Sequence, residues 1–321
     1  MVNFHVEPTS KCTLECPLCS RTWFYETFKR RNLHEVNIDH LVDFVGPNAD
    51  VSMCGNNGDP IYHSQFIDLC RKLKENRCKI FITTNGSAKS TSWWKDLNSV
   101  LDSNDKLRFS IDGLEDTNHI YRKNAKWKSI MDAVKTMEKR KCFTVWKFIV
   151  FKHNEHQIDQ ARNLSRSYNF AGFETQHSDR SWYHGKKWPV FNDGRYVFDL
   201  EPSEKFVDID SFNNDQEKLS ETITNYYKSR KISECPLALK KEIFIDYNGY
   251  VLPCCILSND FWQQTYNTKF LKKYLPDPGV ISIKQFNIEQ IFDSEFYTKT
   301  LKESFSTKPM PKCLLYCSSE I

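Results

Sequence analysis

From residue 4 to residue 177, short runs rich in β-branched and aromatic residues alternate with segments of helical period, and this rhythm limits the chain to few architectures. The strand-like runs are 4–7, 50–54, 79–84, 106–111, 144–151 and 173–177, and the helix-like stretches are 38–45, 65–76, 93–101, 127–140 and 155–168. In the second of these helices Phe66, Leu69, Cys70 and Leu73 fall at helical spacing. Asn154, with Gln157 three residues on, reads as an N-cap with a capping box for the fifth. Strand–helix repetition predicts a parallel sheet with right-handed crossovers. Six such units predict an α/β fold, a partial (βα)6 TIM-like barrel, with its working loops at the C-terminal ends of the strands.

Beyond residue 178 the rhythm stops. Residues 179–185 and 191–195 read as loops and 215–230 as a polar helix, together a connection between domains. A hairpin signal follows: the alternating run 242–247, then Asn248-Gly249, then 250–252. Asn-Gly between such runs predicts a type I′ turn, which needs positive φ twice. Residues 288–305 read as one helix ending before Pro309 and Pro311. The expected division is a barrel over 1–200, a connecting helix or linker over 201–232, and a small C-terminal α+β domain of hairpin plus helix over 233–321.

Composition narrows the function. The 321 residues are 40% hydrophobic, enough for a full core, and 45 basic against 41 acidic residues leave a net charge of +4. That balance holds no polybasic footprint, so dedicated nucleic-acid binding is not expected. No apolar run approaches a membrane span. The amino end lacks the charged-then-apolar pattern of a secretory signal, so a cytoplasmic chain is expected. In that compartment the twelve cysteines are read as reduced thiols that bind metal or pack, not as a disulfide framework. Cys54, Cys70, Cys78 and Cys142 stand alone in apolar stretches and read as packing.

Cys12, Cys16 and Cys19 crowd the loop after the first strand in C-x-x-x-C-x-x-C spacing. Three thiolates there can hold three corners of a 4Fe–4S cube and leave one iron open to a bidentate ligand. A zinc site completed by His5 or His34 is the alternative.

This loop resembles the signature of the radical S-adenosylmethionine (radical SAM) superfamily, and it follows the first strand as it does in that family. The resemblance implies that the open iron chelates the amino and carboxylate groups of SAM. One-electron reduction then yields methionine and a 5′-deoxyadenosyl radical, with the electron coming from a flavodoxin- or ferredoxin-like partner. Leu18 stands at the position that packs on adenine. Asn57-Gly58-Asp59, after the second strand, resembles the Gly-Gly-Glu motif that supports the SAM amino group, with Asn for Gly and Asp for Glu; by itself it also reads as a Gly-Asp-Pro turn. Thr83-Thr84-Asn85-Gly86 resembles a tract lining the SAM cleft. Ser110 and Asp112, at the end of the fourth strand, stand where relatives bind the ribose hydroxyls or the SAM carboxylate. Arg122 is a candidate partner of that carboxylate or a surface ion pair.

Cys235 precedes the hairpin, Cys254-Cys255 closes its second strand, and Cys313 and Cys317 follow the last helix. This arrangement resembles the twitch domain, a short relative of the SPASM domain. It implies an auxiliary 4Fe–4S cluster on Cys235, Cys254, Cys313 and Cys317, with a structural zinc knuckle as the alternative. Adjacent strand residues face opposite sides, so one of the doublet ligates. Cys254 is preferred, which leaves Cys255 as a hydrogen-atom donor candidate or as core.

The resemblance implies hydrogen-atom abstraction from a substrate, in modification of a peptide or protein side chain or, alternatively, in oxidation of a small-molecule alcohol as in the related aminoglycoside dehydrogenase. A third reading, from another class, is a zinc-stabilised binding module without catalysis. The segment 180–188, with Lys186, Lys187 and Trp188, is a candidate contact for substrate or partner, or a solvated loop.

Overall fold

A computed structural model of the chain describes residues 3–23, 33–137, 141–178, 187–192, 195–203, 230–231, 242–262, 275–307, 313, 317 and 319–320. In chain order the elements are β1 (Asn3–Val6), α1 (Ser20–Trp23), α2 (Ile38–Val45), β2 (Asp50–Met53), α3 (Phe66–Glu75), β3 (Lys79–Thr84), α4 (Thr91–Val100), β4 (Lys106–Ser110), α5 (Asn118–Tyr121), α6 (Trp127–Thr136), β5 (Phe143–Val150), α7 (Ile158–Ser167) and β6 (Gly172–His177). Then come β7 (Trp188–Asn192), β8 (Arg195–Leu200), β9 (Arg230–Lys231), β10 (Glu242–Ile245), β11 (Val251–Leu252), α8 (Cys255–Trp262), α9 (Ile288–Phe292), α10 (Leu301–Thr307) and β12 (Ser319–Glu320). All six expected strands form, each within two residues of its reading. The expected polar helix 215–230 lies outside the described residues apart from Arg230.

The chain divides into two compact units that do not follow linear order: 1–11 with 26–79 and 220–321, and 12–25 with 80–219. In the first unit β1 runs parallel to both β2 and β10, and β11 pairs antiparallel with β10. Phe4 and Val6 are buried on one face of β1, and Phe4 meets Phe44 of α2 edge-on at 6.2 Å. Asn37 caps α2, its side chain accepting from the His40 N–H at 3.0 Å. Phe66, Leu69, Cys70 and Leu73 are the buried stripe of α3, as their spacing predicts.

In the second unit β4 pairs parallel with β3 and β5, and β5 with β6. β5 is buried along most of its length, the pattern of a strand covered on both faces. Its core is aromatic: Trp94 and Phe109 lie 5.6 Å apart, and the buried Trp146 donates its indole N–H to the Ile111 carbonyl at 2.9 Å.

Four local expectations are corrected. Asn154 forms no capping box: α7 is entered through a single 3-10 turn over Glu155–Gln157. The buried Asn154 side chain instead accepts from the Phe151 N–H and donates to the Asp112 and Ile149 carbonyls, which joins the loops after β4 and β5. The turn at Asn248-Gly249 is not type I′, because only Gly249 has positive φ, +81°. Gly249 donates to the Asp246 carbonyl and Asp246 to that of Tyr250, so it is a type I turn with a glycine bulge. The stretch around 191–195 is not loop alone but holds the ends of an antiparallel hairpin, β7 with β8. Pro189 hides it from periodicity, since proline is tolerated only where its missing N–H is not needed. Residues 288–305 are not one helix: α9 ends at Phe292 and a π-helical turn, Phe296–Thr300, leads into α10.

Candidate functional site

The loop after β1 carries the first cysteines. Residues 16–19 form a turn closed by the Cys19 N–H to the Cys16 carbonyl at 2.9 Å, and α1 follows at once. The Glu15 N–H donates to the Lys123 carbonyl, tying the loop to the segment after α5. Cys12 and Cys19 are partly exposed and Cys16 is buried. None of the described cysteines is in a disulfide.

Nitrogen donors face the first of these sulfurs. Cys12 Sγ accepts from the Leu14 N–H at 3.4 Å and from Asn85 Nδ2 at 3.7 Å. Arg122 Nε donates to Asp112 Oδ2 at 2.5 Å, and the nearby guanidinium charge favours the Cys16 thiolate. Burial pushes the Cys16 thiol up to about 11, against the pull of Arg122. Burial also raises the Asp112 carboxyl, with Arg122 opposing. Burial opposes the charge on Arg122, but Asp112 and Cys16 outweigh it and hold the group above the ordinary arginine value.

Several residues assigned to SAM by resemblance have protein partners. Asp112 is fully buried and gives its other oxygen to the Ile149 N–H at 2.6 Å. Arg122 is not a surface ion pair: it is mostly buried and pairs with the buried Asp112. Leu18 is buried in an apolar cluster with Leu14, Tyr121, Phe151, Val190 and Leu200. Ser110 is buried at the end of β4.

Asn57, Gly58 and Asp59 lie in the other unit, around a residue that sequence reasoning passed over. Glu7, just past β1, is buried and accepts through Oε1 from the Asn57 N–H at 2.6 Å and the Gly58 N–H at 3.0 Å. Its Oε2 has no hydrogen-bond partner among the described residues. Burial pushes the Glu7 carboxyl up to about 7; the two N–H groups oppose this and the Asp246 carboxylate adds to it. A Cβ on Gly58 would stand 1.8 Å from the Thr9 carbonyl oxygen, so only glycine lets this loop approach the strand exit. Asp59 caps the 3-10 turn Pro60–Tyr62, its carboxylate accepting from the Ile61 N–H at 3.3 Å. The signal for Glu7 was alternation: Phe4 and Val6 face one side of β1, so His5 and Glu7 share the other.

His5 Nε2 lies 2.8 Å from Cys54 Sγ, with Cys255 also close by. Cys54 is therefore more than packing, whereas Cys70, Cys78 and Cys142 are buried as expected. Burial works against a charged His5, but Cys255, Glu242 and Glu7 raise it above the ordinary imidazole value. The Cys254-Cys255 doublet is not on a strand. β11 ends at Leu252, Cys254 is buried before α8, and Cys255 opens that helix half-buried. Cys313 is buried and Cys317 half-buried. Cys235 and residues 179–186 lie outside the described residues.

Among the described residues no three His, Cys, Asp or Glu side chains converge on one point as ligands of a single ion. A cubane binds each thiolate to a different iron, so it asks for thiols spread around a loop. An all-thiol donor set on one loop, with two N–H groups facing the Cys12 sulfur, fits such a cluster.

Residues 6–164 match the family model of the radical SAM superfamily, and residues 235–318 match that of SPASM, an iron–sulfur cluster-binding domain. The chain belongs to the radical SAM superfamily and carries a SPASM-type domain; its cofactors are SAM and 4Fe–4S clusters. Among solved structures, it is similar to native anSMEcpe with bound AdoMet, at 14% identity and TM-score 0.56 over 95% of this chain and 84% of that one. It is also similar to Streptococcus suis SuiB bound to S-adenosylmethionine, at 13% identity and TM-score 0.51 over 85% of this chain and 68% of that one. SuiB bound to its precursor peptide SuiA matches at 14% identity and TM-score 0.51, over 97% of this chain and 66% of that one. These likenesses show the fold, an α/β partial barrel. No curated protein matches the sequence.

Proposed function

We propose that this enzyme modifies a peptide or protein side chain by hydrogen-atom abstraction, with Cys12, Cys16 and Cys19 as ligands of the SAM-cleaving cluster. The observation that carries the cluster assignment is the three-thiol loop after β1, whose Cys12 sulfur is met by N–H donors from Leu14 and Asn85. Held by Cys12, Cys16 and Cys19, a 4Fe–4S cluster would bind SAM and, with an electron from a flavodoxin- or ferredoxin-type donor, would supply the hydrogen-abstracting chemistry. The chain's own part is to hold the thiols. Residues 16–19 fix two of them in one turn, and the burial of Cys16 and Leu18 keeps water from that side.

We assign Cys235, Cys254, Cys313 and Cys317 to the auxiliary cluster. The match of residues 235–318 to an iron–sulfur cluster-binding domain supports this, and the burial of Cys254 and Cys313 agrees with a site shielded from water. A peptide substrate is supported by the similarity to SuiB, whose solved complex holds a precursor peptide. The resemblance offers Leu18, Asn57, Gly58, Asp59, Asn85, Ser110, Asp112 and Arg122 as candidates for SAM contact, to be tested one at a time by SAM affinity.

The test is anaerobic reconstitution followed by assay of 5′-deoxyadenosine release from SAM under reduction. The wild-type chain is expected to release it and Cys16→Ala to release none. Cleavage retained in that variant would defeat the assignment. Turnover of a small alcohol but of no peptide would replace the peptide reading.

A further inference from the structure

Two side chains that the resemblance offers to SAM stand beside the cysteine loop, and each is held there by a protein partner. Asn85 Oδ1 accepts from the Ser87 N–H at 2.9 Å and from the Ser87 hydroxyl at 2.8 Å. A backbone N–H can only donate, so that end of the amide is the oxygen and the NH2 end faces Cys12 Sγ. Arg122 is held by Asp112, itself oriented by the Ile149 N–H on its carboxylate and by Asn118 Oδ1 on its backbone N–H at 2.8 Å. The Asp112–Arg122 pair is neutral as a whole, and its cation stands next to Lys123, whose carbonyl accepts from the Glu15 N–H of the cysteine loop.

Cluster reduction adds an electron to an already anionic thiolate assembly. Hydrogen bonds to the sulfurs and nearby positive charge stabilise that added charge, and the potential of an iron–sulfur cluster follows both. Burial strengthens the effect, because little water screens it.

We propose that Asn85, as a donor to the Cys12 thiolate, and Arg122, as a buried cation held by Asp112 beside the cysteine loop, are positioning residues of the SAM-cleaving cluster that raise its reduction potential. The inference rests on the ligand assignment of the preceding section and adds what sets the cluster's readiness to accept an electron. Asp112 acts through Arg122: it pins the cation and partly offsets its charge.

The experiment is a redox titration, followed by electron paramagnetic resonance, of the anaerobically reconstituted full chain. The cluster followed is the one whose signal changes on addition of SAM, and iron and sulfide are counted in each sample. Asn85→Leu removes one donor and Arg122→Met one cation, and each is expected to lower the equilibrium constant for one-electron reduction about tenfold, roughly 59 mV. Asp112→Asn, which removes the offsetting anion, is expected to move the potential the other way. Arg122→Lys and Asn85→Asp serve if the first pair assembles poorly: the lysine keeps the charge and holds the potential near wild type, and the aspartate removes the donor, adds an anion and lowers it. Unchanged potentials in variants with full iron content would overturn the inference and leave the ligand assignment standing. A wild-type protein with no SAM-sensitive signal would overturn both.

Discussion

Glu7 shows how one buried carboxylate organises a loop. Its Oε1 gathers two backbone N–H groups of residues 57 and 58, and its unpartnered Oε2 favours the protonated acid. Because the folded pKa, about 7, lies above the ordinary 4.5, Glu7 supports folding fully below pH 4.5. That support is lost as the pH rises through 7, about 3 kcal/mol in all at 1.36 kcal/mol per pKa unit. Glu7→Gln does not titrate. Urea unfolding of both proteins from pH 4.5 to 8 is therefore expected to show the glutamine variant gaining relative stability across that window; a constant difference would mean that Glu7 titrates at its ordinary value. At the same scale Asn85 and Asp112 were legible as polar residues just past strand ends, and Arg122 as a cation following the fourth. Their partners were not, since 73 positions separate Asn85 from Cys12.

At the scale of the element, the hairpin 242–252 was visible from its alternation and its Asn-Gly pair, but its turn type was not. Asp246 decides it: its carboxylate accepts from the Asn248 and Tyr250 N–H groups, each at 2.9 Å, which favours a type I turn and leaves only Gly249 in the left-handed region. A Cβ at Gly249 would also stand 3.0 Å from Ile283 Cγ1. Gly249→Ala is expected to cost about 1–2 kcal/mol from the backbone alone and to lower the melting temperature, read by thermal unfolding. An unchanged melting temperature would show that the turn relaxes freely. The break of the last helix escaped the sequence because its apolar residues keep a helical rhythm. The Tyr297 hydroxyl reaches the Val251 carbonyl at 3.0 Å from within the π-helical turn, a long-range bond that no local pattern announces.

For the molecule as a whole, two families of cysteines imply two clusters. The reconstituted chain is expected to hold about eight irons, four per cubane. Cys317→Ala is expected to keep part of the SAM cleavage while losing product formation, measured as 5′-deoxyadenosine against modified substrate. Full product from that variant would remove the auxiliary site from the reaction. No helix among the described residues is long and apolar enough to cross a membrane.

The strand–helix order, the thiol spacing of the first loop and the α/β class follow from the chain alone, because periodicity and short motifs are local and each residue carries its own propensity. The pairing of Arg122 with Asp112, the clamp of Glu7 on residues 57 and 58, and the approach of His5 to Cys54 and Cys255 were decided only in three dimensions. Hydrogen bonds and burial act between groups far apart in sequence. Which polar side chain meets which depends on where the packed strands bring their ends together.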